Sequence, residues 1–208
     1  RAGDLVFLTG ATGLTIDGDG FVGSGDPAAQ AENAMVVVRT LLEEMGASLD
    51  DICKVTTYVT DRAHRNEVYP VLAKHLTGVY SCSTGLIVPA LAEPEFDFEI
   101  DVFAVVSPEG IPHQRIRPFN KNTPQATDPS FPDLDYGLSR AVRAGNMVFL
   151  QGQTGRPIDR CTIKEGFAGR GDPAVQADTA MKNVAQLLED AGSCMEDICK
   201  VTVYVKDH

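Results

Sequence analysis

No stretch of this chain approaches the roughly 20 apolar residues that a membrane span requires, and no charged-then-apolar segment opens it. No membrane association is therefore expected. The cysteines Cys53, Cys82, Cys161, Cys194 and Cys199 form no CxxC pair and lie next to no histidine at ligand spacing. That argues against a zinc site and for free thiols in a reducing cytoplasm. Nor is there the clustered Lys and Arg that phosphate tracking needs: 18 basic side chains face 29 acidic ones, for a net charge of -11. The expected partner is a small molecule rather than a nucleic acid. The glycine turns TGATG (9–13) and QGQTG (151–155) lack the Lys-Ser/Thr ending of a phosphate loop, so no nucleotide is expected. His64, His75, His113 and His208 stand at no triad or metal spacing and read as surface residues. No metal and no cofactor are expected.

What the chain does have is a repeat, which has to be found before any element is assigned. Residues 1–13, RAGDLVFLTGATG, return at 143–155 as RAGNMVFLQGQTG. GDPAAQAENAM (25–35) returns as GDPAVQADTAM (171–181), and DICKVTTYVTD (51–61) as DICKVTVYVKD (197–207). Matched blocks in the same order identify one domain used twice, over 1–110 and 111–208. A chain of 208 residues with 43% hydrophobic and 23% charged content suits two domains of about 100 residues.

Within each copy the apolar runs LVFLTG (5–10) and MVFLQG (147–152) read as strands closed by Gly. A Gly/Asp-rich hairpin follows, TIDGDGFVG (15–23) in one copy and the longer PIDRCTIKEGFAG (157–169) in the other. Asp26-Pro27 and Asp172-Pro173 then open helices, with Asp as N-cap and Pro in the first turn, where a missing N–H costs nothing. Ala34, Met35, Val38, Leu41, Leu42 and Met45, and Met181, Val184, Leu187 and Leu188, recur at helical spacing and are expected in the core; Gly46 and Gly192 close the helices. CKVTTYV and CKVTVYV alternate as strands, which places Cys53 and Cys199 in the core. The first copy alone continues through a helix near 66–76 and strands STGLIV (83–88) and DFEIDVFAVV (97–106). On the last strand Asp97, Glu99 and Asp101 share one face, and like-charge repulsion there can raise a carboxyl pKa. HQRIRPFN (113–120) reads as the first strand of the second copy, followed by a loop over 121–135.

This order of elements, with AVRAGNMVFLQGQTG, the Gln of DPAAQ and DPAVQ, and DICKVTxYVxD, resembles the Rid (YjgF-like) family of imine and enamine deaminases. The resemblance implies an α+β fold: two chorismate-mutase-like domains, each a mixed sheet with helices on one face. It also implies trimeric rings with ligand clefts between neighbouring domains, here six domains from three chains. Against that pattern the first copy lacks an opening strand and the second lacks its second helix and last two strands. Those pieces are expected either before Arg1 and after His208 or from the other copy or a neighbouring chain.

Carried over residue by residue, the resemblance gives Asn66 on the second helix, Ser81 and Cys82 as the family's Ser-Cys pair, and Glu99 as the acid thought to orient the attacking water. Cys82 has an alternative reading as a packed core thiol. The small hydroxyl residue before the cleft glycine is Thr9 before Gly10 in one copy and Gln151 before Gly152 in the other. The aromatic position ahead of AVRAGN is Leu138, with Tyr136 nearby. The largest departure is Tyr80, where deaminase members carry a carboxylate-binding Arg. A neutral phenol offers one hydrogen bond where a guanidinium offers a fork, so atypical specificity is expected. The alternative is a ligand-binding or assembly protein that kept the fold without the chemistry.

Overall fold

The computed structural model describes residues 1–107, 111–120, 137–158 and 168–206. The linking loop over 121–135, Tyr136, Cys161, most of the second hairpin and His208 lie outside those residues. The first copy runs β1 (Leu5–Phe7), α1 (Pro27–Glu44), β2 (Ile52–Val59), α2 (Arg65–Leu76), β3 (Cys82–Ile87) and β4 (Phe98–Val105). Its sheet has the order β1-β4-β2-β3, parallel between β2 and β3 and antiparallel elsewhere. The second copy contributes an antiparallel sheet β5-β6-β7 from Gln114–Phe119, Leu138–Ala144 and Met147–Leu150, and a helix, α3 (Pro173–Asp190). The molecule is thus an α+β protein with two sheets.

The helices start where their caps dictate. The Asp26 side chain accepts from Ala29 N at 2.9 Å, and Asp172 accepts from Ala174 N and Val175 N at 3.0 and 3.1 Å, satisfying donors that the first helical turn leaves open. Gly46 and Gly192, both at φ 69°, end α1 and α3 in the left-handed region that a side chain resists. The stripe of α1 is buried as its spacing requires. Met35, Val38 and Leu42 pack with Val68, Leu72 and Leu76 of α2 and with Val55, Phe98, Ile100 and Val102 of the sheet. Gln30, also buried, ties α1 to β4: its Oε1 accepts from Asp97 N and Phe98 N, and its Nε2 donates to Gly23 O and Glu95 O.

Four expectations need correction. CKVTVYV (199–205), which reads as a strand, forms none, and Cys199 is exposed. A strand needs neighbours for its N–H and C=O groups; β2 lies between β3 and β4, and no described strand flanks 198–206. For the same reason the α3 stripe is only partly covered, with Leu187 and Leu188 buried but Met181 42% exposed. Asp97 does not join Glu99 and Asp101. It precedes β4, so strand alternation does not govern it, and Thr60 Oγ1 donates to its Oδ1 at 3.0 Å. His75 and His113 are not simple surface residues: His75 meets Arg39 Nη2 at 2.9 Å, and His113 Nε2 lies 2.9 Å from Val105 O.

The copies touch through the sheet face opposite α1 and α2. Strand alternation puts Lys54, Thr56 and Tyr58 of β2, Cys82 and Thr84 of β3, and Glu99, Asp101 and Phe103 of β4 on that face. Cys53, Cys82 and Val105 pack there with Val142, Ala144 and Phe149 of the second copy. Arg115 of β5 fastens the contact by donating to Ile52 O at 3.0 Å and Asp50 O at 2.9 Å.

Candidate functional site

The residues that the sequence groups into one site fall into two places. The first is built by β4 and the turn after β1. Ala11 pairs with Ile100 through hydrogen bonds of 3.0 and 2.9 Å, which lays Gly10 directly against Glu99. A Cβ at residue 10 would fall on the Glu99 carboxylate, so glycine is required for that close approach. Thr9 is exposed beside it. Glu99 is half-buried, and its pKa is raised, first by burial and then by the Asp101 carboxylate. Asp101 in turn accepts from Tyr58 Oη at 3.0 Å. Burial, Asp101 and a hydrogen bond with Tyr204 of the second copy together hold the Tyr58 phenol protonated far above its ordinary range. The result is a carboxyl with a raised proton affinity over a bare backbone turn, the type of group that can move or orient a proton.

The second place is the contact between copies. Tyr80 stands at φ 53°, a conformation rare outside glycine, and its ring occupies the space a side chain at Gly137 would need. Ser81 O accepts from Ser139 N at 3.1 Å. Cys82 Sγ lies 3.3 Å from Phe149 O, and Lys54 Nζ donates to Leu150 O at 3.0 Å. A Cβ on Gly152 would sit 2.8 Å from Thr84 Oγ1. Tyr80, Ser81 and Cys82 of one copy therefore meet Gly137, Ser139 and Phe149 of the other, with Gly152 against Thr84.

Cys82 is fully buried and its thiol is pushed up to about 12, mainly by burial, so it packs rather than reacts. Burial likewise lowers the pKa of Lys54. Asn66 is exposed in the first turn of α2 and joins neither group through a described side-chain hydrogen bond. Among the described residues no cluster of three His, Cys, Asp or Glu could hold a metal, and no helix is long and apolar enough to cross a membrane. Sequence reasoning missed Lys54, Thr84 and Arg140 at the contact. Strand alternation could have flagged Lys54 and Thr84. Arg140 has no counterpart in the first copy as given, so the repeat could not single it out.

Two Rid-type α+β copies, apposed so that the Ser-Cys segment of one meets β6 and β7 of the other, define the class of protein. The chain belongs to the family described as Endoribonuclease L-PSP, the YjgF/Rid family, whose model matches residues 1–106 and 132–208. It is 37% identical over 89 residues to a RutC family protein of Pyrococcus horikoshii, across 43% of this chain and 60% of that one. It is 41% identical over 69 residues to a RutC family protein of Pyrococcus abyssi, across 33% and 50%. The chain thus spans about half to three fifths of the length of these curated relatives. Among solved structures, Rv2704 of Mycobacterium tuberculosis, titled a member of the YjgF/YER057c/UK114 family, aligns at 31% identity and a TM-score of 0.45 over 51% of this chain and 82% of its own. Yeast Mmf1 aligns at 29% and 0.47 over 51% and 83%.

Proposed function

We propose that the protein is a hydrolase of small imines or enamines with atypical specificity. In this reading Glu99 orients the attacking water and backbone groups at Gly10 or Gly152 polarise the substrate. The observation that carries it is the half-buried Glu99 carboxyl lodged over Gly10, with its pKa raised by burial and by Asp101. Water adds to the C=N carbon while the carboxylate takes one of its protons and passes it to the nitrogen; the hydroxyl proton of the resulting carbinolamine then follows by the same carboxylate, so the C–N bond breaks, ammonia leaves and a carbonyl remains. Tyr80 removes the cation from its wall of the cleft, so a simple 2-iminocarboxylate is not held in the family's manner. The net charge of -11 supports a small-molecule substrate over RNA.

The Glu99 turn and the Ser-Cys wall are separate here, so each active cleft in this reading takes its acid from one domain and its opposite wall from the next. Three chains forming a ring of six domains provide that arrangement. Light scattering of the purified chain should give a trimer, and a stable monomer would refute the ring.

The deciding experiment is ammonia release from a panel of imines and enamines. Glu99→Gln should lower kcat by at least about a hundredfold, the low end for a general base. The base works as a carboxylate and its pKa is raised, so wild-type activity should fall with falling pH at a value above the ordinary 4.5 for Glu. Activity that survives Glu99→Gln would remove Glu99 from the mechanism. A second reading, a binding protein without turnover, is favoured by the full burial of Cys82 and the loss of the arginine at Tyr80. A metabolite retained through purification with no ammonia released would support it.

A further inference from the structure

The duplication brings its own equivalents together. Lys54 and Tyr58 of β2 hold the same repeat positions as Lys200 and Tyr204 of the second copy. On the sheet face that meets the second copy, β2 and β4 pair Lys54 with Phe103, Thr56 with Asp101 and Tyr58 with Glu99. Lys200 Nζ stands 5.8 Å from the centre of the Phe103 ring, and Tyr204 shares a hydrogen bond with Tyr58. The 198–206 segment therefore runs along this face in the direction of β2, with each of these two contacts at the level of its own counterpart.

One of the two contacts reaches the Glu99 turn. Tyr58 stands directly across from Glu99, and its Oη donates to Asp101 Oδ2 at 3.0 Å. Asp101 is in turn the charge that bears on Glu99. How strongly that charge acts depends on where its oxygens are held, and the hydrogen bond from Tyr58 holds them. A phenol both donates and accepts, so Tyr58 serves as the middle member of a chain from Tyr204 to Asp101, whose linked hydrogen bonds polarise one another. The other ionisable groups on this face, Lys54 and Lys200, lie at its far end beside Phe103, and the turn from Thr9 to Ala11 carries none.

We infer that Tyr58 and Asp101 are positioning residues for Glu99, and that Tyr204 extends their control across the duplication: the second copy sets the surroundings of the first copy's acid through one phenol-to-phenol hydrogen bond. This rests on Glu99 being the proton-handling group of the hydrolase reading and adds a regulatory input to it. Tyr204 is 52% exposed and belongs to a segment with no described strand beside it, so its hold is the one that opens most readily. With Tyr204 engaged, Asp101 is held near Glu99 and the carboxyl keeps its proton to higher pH. With Tyr204 withdrawn, Tyr58 and Asp101 relax toward water, and Glu99 titrates closer to an ordinary carboxyl.

The test follows Glu99 itself, by carbon-13 NMR titration of the intact protein labelled at its glutamate carboxyls, with Glu99→Gln assigning the signal. Asp101→Asn should lower the Glu99 midpoint by about half a pH unit or more, since it removes the neighbouring charge. Tyr58→Phe and Tyr204→Phe should move it the same way by smaller steps. Tyr204→Phe added to Tyr58→Phe or to Asp101→Asn should move it no further, because Tyr204 acts only through those two. The acid limb of the ammonia-release profile should move with the midpoint in each variant, a shift that loss of packing alone does not produce. The exposed Tyr204 keeps the test valid if Tyr58→Phe fails to fold. The inference is overturned if Tyr204→Phe titrates as wild type, or if its effect simply adds to that of Asp101→Asn. Imine turnover with a midpoint that no variant moves would sink this inference and leave the hydrolase reading standing. Midpoints that move in the order given, with no imine turned over, would uphold the coupling and remove the hydrolase reading.

Discussion

DICKVTTYVTD and DICKVTVYVKD differ at two positions, yet the first forms the central strand β2 and the second forms no strand. Val55 and Val59 are buried, whereas Val201, Val203 and Val205 are 61%, 73% and 78% exposed. The helices repeat the lesson: Met35 and Val38 of α1 are fully buried, whereas Met181 of α3 is 42% exposed. Intrinsic strand or helix preference is the same in both copies, so the difference lies in what stands beside each segment. β2 has a hydrogen-bonding strand on either side and two helices over it; 198–206 has no described strand beside it. A pleated, half-buried surface is what strand-forming residues fit, and without neighbours that fit has no outlet.

The comparison can be broken most directly at its cysteines. In native protein a thiol reagent should label Cys199 and Cys194 at least about a thousandfold faster than Cys53 and Cys82, because the buried thiols must wait for rare opening. Burial also pushes Cys53 and Cys82 up to about 12, so their thiolate is scarce even when reached. Equal labelling rates at Cys53 and Cys199, read by mass spectrometry, would mean that the two copies are equally enclosed.

Next in size come the methionines. Met35→Ala should cost about 2–5 kcal/mol in denaturant unfolding and Met181→Ala less than about 1, because only the first leaves a cavity. Similar losses from both would show that α3 is covered in solution. The smallest expected difference is between the two glutamines. Gln30 bridges Gly23, Glu95, Asp97 and Phe98, while Gln176 donates to Gly169 O at 2.7 Å. Gln30→Ala should therefore cost about 2–3 kcal/mol, since it strands buried backbone groups, and Gln176→Ala about 1. A reversal of that order in the same unfolding assay would contradict the tie between α1 and β4.

Much of the fold was legible in the sequence because its signals are local. Asp-Pro openings, glycine closures and helical spacing located α1 and α3, and alternation located β2 and β4. The site was legible only as a list. Glu99, Tyr80, Ser81 and Cys82 match one family pattern, but nothing local says that Glu99 belongs with Gly10 while Tyr80 belongs with Gly137. Asp97 was misplaced because alternation was extended one residue beyond the strand. Arg140 went unnoticed because its partners, Gln151 and Phe119, come from other strands of the second copy.

By itself the sequence determined the duplication, the α+β character and the family, since each is written in short motifs and periodicities that neighbouring residues enforce. The tertiary structure alone decided which repeated strand is a strand, which thiols are enclosed, and that the candidate residues are shared between two places. Those outcomes depend on hydrogen-bond partners and burial supplied by distant parts of the chain, and no local pattern encodes them.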